Sequence, residues 1–97
     1  MRKIVTICGS LRFLGRIQET AERLEIENGW VVLAPLPHVI DRPLTDEEKR
    51  LIGELHKAKI DLSDAIFVVN VGGYIGESVK EEIVYAREKG KEVLFLE

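Results

Sequence analysis

This 97-residue chain has a single cysteine, no excess of basic over acidic residues and no long hydrophobic run. A single cysteine, Cys8, cannot form an internal disulfide, which favours a reducing, cytoplasmic setting. No apolar run reaches the roughly 18 residues of a membrane span, and the start M-R-K-I-V-T-I-C is too short for a signal peptide. Lys and Arg number 14 against 17 Asp and Glu, so the net charge is −3. We therefore expect neither a membrane nor a nucleic acid polymer as partner, because no basic excess neutralises phosphates.

Several familiar binding motifs are absent as well. The chain has neither G-x-G-x-x-G nor G-x-x-x-x-G-K-[ST], which argues against dinucleotide and P-loop sites. His38 and His56 share no metal-ligand spacing with Cys8 or with acidic residues, so we expect no metal and no cofactor. Cys8 and Arg12 are only four positions apart, too close for a C-x5-R phosphate loop. This spacing favours Cys8 as a small buried residue at a strand end rather than a nucleophile.

Apolar runs alternate regularly with amphipathic segments along the chain. The Val- and Ile-rich runs predict strands at Lys3–Cys8, Trp30–Ala34, Ala65–Val71 and Glu92–Leu96. The periodic segments predict helices at Phe13–Glu27, from a Thr45 capping box to Leu62, and from Ser78 to Lys89. In the second helix we expect a buried stripe of Leu51, Leu55, Ala58 and Leu62.

This alternation predicts one α/β domain spanning residues 1–97. It has three layers, with a four-stranded parallel sheet in the order 2-1-3-4 and a flavodoxin-like or Rossmann-like topology. Ligands in such sheets bind at the carboxyl ends of the strands where the order reverses, here between strands one and three. The loops at 9–12 and 72–76 should therefore meet in one crevice.

The second of these loops is rich in glycine. Gly72, Gly73 and Gly76 allow positive φ and a close approach of the backbone to a ligand. Ser78, three residues before Glu81, predicts a capping box at the start of the third helix. Unpaired N–H groups at that helix N-terminus suit an anion.

Four polar side chains near the crevice each have two interpretations. Ser10 and Arg12, after Gly9, either hold a phosphate or sugar hydroxyl or are a turn serine and a surface arginine. Asn70 either binds substrate or ties down a neighbouring loop. Tyr74 either stacks on a base or is an ordinary exposed aromatic.

Two further residues are candidates for catalysis. Around the third helix Glu82 lies about 60° from Val79, on the edge of the apolar face, whereas Glu81 lies about 160° away. Glu82 is thus either a catalytic carboxylate facing the crevice or a boundary residue whose head group reaches solvent. His56, beside the stripe of the second helix, is either a packed residue or a proton donor in the crevice.

Three short segments carry a family resemblance. The run C-G-S-L-R at 8–12, the loop ending G-E-S at 76–78 and the run E-I-V-Y-A at 82–86 resemble the nucleoside 2-deoxyribosyltransferase superfamily. The first loop is most similar to that of the 2′-deoxynucleoside 5′-phosphate N-hydrolases. The resemblance implies that Glu82 is a nucleophile toward C1′ of the deoxyribose. It also implies that Ser10, Arg12 and Ser78 hold the 5′-phosphate, and that the chain forms a homodimer.

The chain departs from the family pattern at three places. His56 stands where the family has an aspartate, and Thr6 stands where the hydrolase has a tyrosine in the first strand. The sequence also ends after the fourth predicted strand, so we expect a pocket that is smaller or closed differently. One hypothesis is an enzyme that cleaves or transfers at the N-glycosidic bond of (deoxy)nucleosides or their 5′-monophosphates, with His56 protonating the leaving base. The alternative is a module that binds a nucleotide in the same cleft without turnover.

Overall fold

Four strands alternate with three helices in the computed structural model, which describes residues 1–97. The elements are β1 (Ile4–Cys8), α1 (Leu14–Asn28), β2 (Val31–Leu33), α2 (Asp46–Leu62), β3 (Ala65–Val68), α3 (Glu77–Glu88) and β4 (Glu92–Phe95). All three strand pairs are parallel and their order is β2-β1-β3-β4, which confirms the predicted topology. None of the helices combines the length and apolar character that crossing a bilayer requires.

The helices cover both faces of the sheet and make three layers. On one face Ile17 of α1 packs against Ile7 and Val69. On the other face α2 and α3 share one cluster with the sheet, formed by Cys8, Ile60, Ile66, Val68, Val79, Ile83 and Ala86. Neighbouring β1 residues therefore face opposite layers, and Cys8 points to the side of α2 and α3.

The start of α2 is fixed by the predicted capping box. Thr45 Oγ1 accepts from the Glu48 N–H at 3.1 Å, and Glu48 Oε1 accepts from the Thr45 N–H at 2.9 Å. Arg42 donates to both Glu48 carboxylate oxygens at 2.8 Å. These bonds, the Arg42 pair above all, lower the pKa of Glu48 to about 2. The long loop before α2 is thus joined to the helix by a two-pronged ion pair.

Strand β3 is shorter than the prediction of Ala65–Val71. It ends at Val68, and a short helical turn occupies Val71–Gly73. The reason is the backbone of Asn70, whose ψ of 68° lies outside the β region. Gly72 and Gly73 follow with φ of 63° and 80°, which confirms the positive φ expected of them.

Helix α3 begins earlier than predicted, and the Ser78 capping box is wrong. Gly76 is the N-cap, with an extended φ of −77°, and Ser78 is the second helical residue. Gly76 therefore does not adopt the positive φ expected from the sequence. Its lack of a side chain is still used, because an added Cβ would lie 3.3 Å from the Tyr74 hydroxyl.

The expected buried stripe of α2 is also wrong. Its members are exposed, namely Leu51, Leu55, Ala58 and Leu62. The residues that face the sheet instead are His56, Lys59 and Ile60, with Ser63 just after the helix. They keep the same 3-4 spacing, so a helical period is present but on a mostly polar face.

Hydrogen bonds account for this polar inward face. Lys59 Nζ donates to the Ala34 carbonyl at 3.0 Å, which joins α2 to the end of β2. The hydroxyls of Thr6 and Ser63 lie 2.6 Å apart and each bonds the Lys59 carbonyl. From hydropathy alone, the leucine side of α2 is expected to face the sheet. These hydrogen bonds instead hold the opposite, mostly polar side of the helix against the sheet.

Ile60 is the one apolar side chain of α2 that is fully buried. We expect Ile60→Ala to lower the free energy of unfolding by about 2–5 kcal/mol, because it leaves a cavity between α2 and the sheet. Urea unfolding followed by circular dichroism measures this. Ile26→Ala is the matched control, since Ile26 is 74% exposed and should change stability by less than about 0.5 kcal/mol. Equal losses in the two variants would contradict the packing of α2 described above.

Candidate active site

The loops that follow β1 and β3 meet, as the topology predicts. The guanidinium carbon of Arg12 lies 4.7 Å from the ring centre of Tyr74. Phe13 packs edge-on against the same ring, with centres 5.9 Å apart. A cation–π contact and an aromatic pair therefore join the glycine loop to the first loop.

Within the first loop, Gly9 and Ser10 have clear structural roles. A Cβ on Gly9 would lie 3.3 Å from Ile17 and from Val69, so glycine permits the close approach of the loop to α1 and β3. Ser10 Oγ accepts from the Arg12 N–H at 3.3 Å and caps the short helical turn at Leu11–Phe13. This bond matches the turn-serine interpretation, although it leaves the hydroxyl hydrogen of Ser10 able to donate.

Three titratable side chains come together below these loops. His56 Nε2 of α2 lies 3.5 Å from Cys8 Sγ at the end of β1 and 3.5 Å from Glu82 Oε1 of α3. The His56 and Glu82 side chains are only 11% and 19% exposed. Glu82 is therefore directed inward, as its helical angle indicates, and Glu81 beside it is exposed.

Cys8 was not expected to adjoin the catalytic candidates. It is fully buried, and burial raises the pKa of its thiol far above the usual range, with the Glu82 carboxylate raising it further. The side chain is thus a neutral thiol, in agreement with its interpretation as a small buried residue. The sequence does contain an indication of this position, because Cys8 is the last residue of the strand whose carboxyl end borders the predicted crevice.

Asn70 is engaged by the chain itself. Its amide nitrogen donates to the Glu97 carbonyl at 3.1 Å, and its amide oxygen accepts from the Glu97 N–H at 2.9 Å. The Gly72 N–H donates to Glu97 Oε2 at 3.0 Å. These contacts correspond to the second interpretation of Asn70, in which it ties down a neighbouring segment.

A polar cleft of about 290 Å³ opens between α2 and α3. Its lining is formed by Arg50, Gly53, Glu54, Lys57, Ser78, Glu81 and Glu82. Ser78 and Glu82 thus share one cleft, whereas Ser10, Arg12 and Tyr74 lie outside its lining. Ser10 follows Cys8 by two residues, however, so its backbone is within about 7 Å of the Cys8 backbone. The two groups of candidates are neighbours at one edge of the sheet.

Comparison with solved structures identifies a shared fold. The chain superposes on a 2-deoxyribosyltransferase from the psychrotolerant bacterium Bacillus psychrosaccharolyticus with a TM-score of 0.70. The match covers 95% of this chain and 70% of that one, at 18% sequence identity. No protein-family model matches the sequence, and no curated protein does so. The likeness establishes the three-layer fold with its parallel sheet.

The burial of Cys8 predicts a slow reaction with alkylating agents. We expect iodoacetamide at pH 8 to modify folded protein at least roughly 100-fold more slowly than unfolded protein, because each pKa unit removes tenfold of the thiolate. Mass spectrometry follows the reaction, and Cys8 is the only thiol that can respond. Rapid labelling of the folded chain would show an accessible thiolate and contradict this site geometry.

Proposed function

We propose that this protein cleaves or transfers at the N-glycosidic bond of (deoxy)nucleosides or their 5′-monophosphates. The observation that best supports the proposal is the inward Glu82 carboxylate in contact with His56. A carboxylate held at 19% exposure loses hydration and is uncommon away from functional sites. The fold shared with a 2-deoxyribosyltransferase supports the same reaction class.

Glu82 is the nucleophile in this proposal. Its carboxylate attacks C1′ of the sugar, and the bonding electrons of the C1′–N bond pass to the departing base. His56 gives the base a proton from Nε2, the ring nitrogen on the side of Glu82. Water then releases the sugar from Glu82, or a second base accepts it, as in retaining glycosidases.

The remaining predicted residues hold the rest of the substrate. Arg12 and Ser10 bind a 5′-phosphate, Arg12 by a charge-assisted fork, and Ser78 adds a hydroxyl at the α3 N-terminus. Tyr74, already beside Arg12, is 43% exposed, and in this proposal a base stacks on its ring. Such a site resembles that of a 2′-deoxynucleoside 5′-phosphate N-hydrolase and needs no cofactor.

Release of free base tests the proposal directly. The protein is incubated with a panel of nucleosides, deoxynucleosides and their 5′-monophosphates, and free base is measured by chromatography. We expect release by wild type, loss to background for Glu82→Gln, and a fall of about 100- to 10,000-fold for His56→Ala, the range of general acid catalysis. Glu81→Gln is the matched control, because Glu81 lines the same cleft but is exposed and has no role in the proposed reaction, so this variant should keep the wild-type rate.

Further measurements distinguish the proposed enzyme from its alternatives. Arg12→Ala should raise KM for monophosphates while leaving that for nucleosides unchanged, if the phosphate contact is as proposed. Thermal stabilisation by a nucleotide without release of base would identify the alternative, a binding module in the same cleft. Equal rates for Glu82→Gln and Glu81→Gln would remove Glu82 from the mechanism.

The exposed stripe of α2 supports a homodimer. Leu51, Leu55 and Leu62 share one side of the helix and are each more than half exposed, and an exposed apolar helix side is typical of an interface. We propose that two chains pair through this face about a twofold axis. We also propose that the protein acts in the cytoplasm, because a single reduced cysteine, Cys8, suits a reducing compartment. Pairing would bury leucines that α2 cannot turn toward its own sheet.

Sedimentation measures the dimer. We expect twice the 11.0 kDa of one chain for wild type. The double variant Leu51→Glu and Leu55→Glu should sediment as a folded monomer, because charge is placed where apolar surface would be buried. Ile26→Glu on exposed α1 serves as control and should remain dimeric. A monomeric wild type at micromolar concentration would refute the pairing.

A further inference from the structure

The Cys8, His56 and Glu82 cluster has the dimensions of a metal site. Nε2 of His56 is 3.5 Å from both Sγ of Cys8 and Oε1 of Glu82, and no two of the three donor atoms are more than 4.8 Å apart. In tetrahedral zinc sites the bonds are about 2.3 Å to sulfur and 2.0–2.2 Å to nitrogen or oxygen, which places neighbouring ligand atoms roughly 3.3–3.6 Å apart. Two of the three distances between donor atoms, from His56 Nε2 to Cys8 Sγ and from His56 Nε2 to Glu82 Oε1, already have that length.

The kinds of donor atom narrow the choice of ion. Thiolate, imidazole and carboxylate together are typical of Zn²⁺ and its chemical relatives, whereas Ca²⁺ and Mg²⁺ require mostly oxygen ligands. We propose that Cys8, His56 and Glu82 bind one Zn²⁺-like cation per chain, with a fourth position open toward the cleft. Binding displaces the thiol proton of Cys8 to solvent, because a coordinating sulfur is deprotonated.

The positions of the three donors favour this site over adventitious surface binding. Each donor comes from a different element, β1, α2 or α3, and Cys8 belongs to the same core cluster as residues of both helices. Packed elements hold ligands more precisely than loops do. Glu82 also lines the cleft between α2 and α3, so one of the three donors is accessible to an ion from that cleft.

Metal binding has a regulatory consequence that rests on the proposed function. A bound cation takes the Glu82 carboxylate that would attack C1′ and the His56 nitrogen that would carry the proton. Zn²⁺ and substrate chemistry therefore exclude one another at this site. The metal acts here as a reversible inhibitor.

Cobalt spectroscopy tests the site without any substrate. Co²⁺ is added to reduced protein, and the expected result is a thiolate-to-cobalt charge-transfer band with tetrahedral d–d bands, saturating at one ion per chain. Zn²⁺ should abolish these bands by displacement. Cys8→Ala, His56→Ala and Glu82→Gln should each weaken Co²⁺ binding by more than roughly 100-fold, since even outer-shell changes cost 10–100-fold. Glu81→Gln is the matched control and should bind like wild type.

Each alternative result overturns the site. Absence of the charge-transfer band, or a band that survives Cys8→Ala, means that Cys8 is not a ligand. If Glu81→Gln weakens Co²⁺ binding as much as Glu82→Gln does, the acidic surface in general, and not Glu82, holds the ion. His56 and Glu82 are partly exposed, so their variants remain informative if Cys8→Ala fails to fold.

The inhibitory step is measured separately. Where base release is observed, stoichiometric Zn²⁺ should abolish it and a chelator should restore it. Cobalt bands with no base release from any substrate would refute the proposed function and leave the metal site intact. Base release that Zn²⁺ does not affect, in protein without cobalt bands, would refute the metal site alone.

Discussion

The contact between Glu82 and His56 is the constraint on which the rest of the structure depends. A carboxylate withdrawn from water is costly unless polar groups lie beside it, and here the polar face of a neighbouring helix provides one. Helix α2 supplies that face, with His56 beside Glu82 and with Lys59 bonded to the end of β2. The orientation of α2 thus follows from the polar contacts of His56, Lys59 and Ser63 more than from the helix's own leucines.

That orientation explains why the apolar stripe of α2 is on the outside. A helix has one inward side, and in α2 the side chains that make hydrogen bonds occupy it. Leu51 and Leu55 then project into solvent, where exposed apolar surface favours association. The inward position of His56 and the exposure of these leucines are therefore coupled through the rotation of one helix, because α2 cannot bury its leucines internally without withdrawing His56.

The fold could be predicted from the sequence because its signals are local. Val- and Ile-rich runs separated by capped amphipathic segments specify a parallel sheet and its order. The capping box of Thr45 and Glu48 predicts the first residue of α2 correctly. The inward angle of Glu82 was also readable from helical spacing. The largest error came from contacts distant in sequence, because hydropathy does not indicate the bonds that turn α2. The errors at the end of β3 and at the start of α3 are local and amount to a few residues. The contact of Cys8 with His56, 48 positions away, has only an indirect signal in the sequence, namely the position of Cys8 at the carboxyl end of β1.

The side chain of Asn70 has a consequence for the whole edge of the sheet. Where β3 leaves the sheet to form the glycine loop, the backbone of Glu97 would lose its partner, and the amide of Asn70 replaces the missing peptide group with one donor and one acceptor. The side chain of Asn70 thereby makes the two hydrogen bonds that a residue of a neighbouring strand would make. The main chain after β3 is free to curve toward the loop that follows β1, where Tyr74 contacts Arg12, while the outer strand keeps its hydrogen-bonded neighbour.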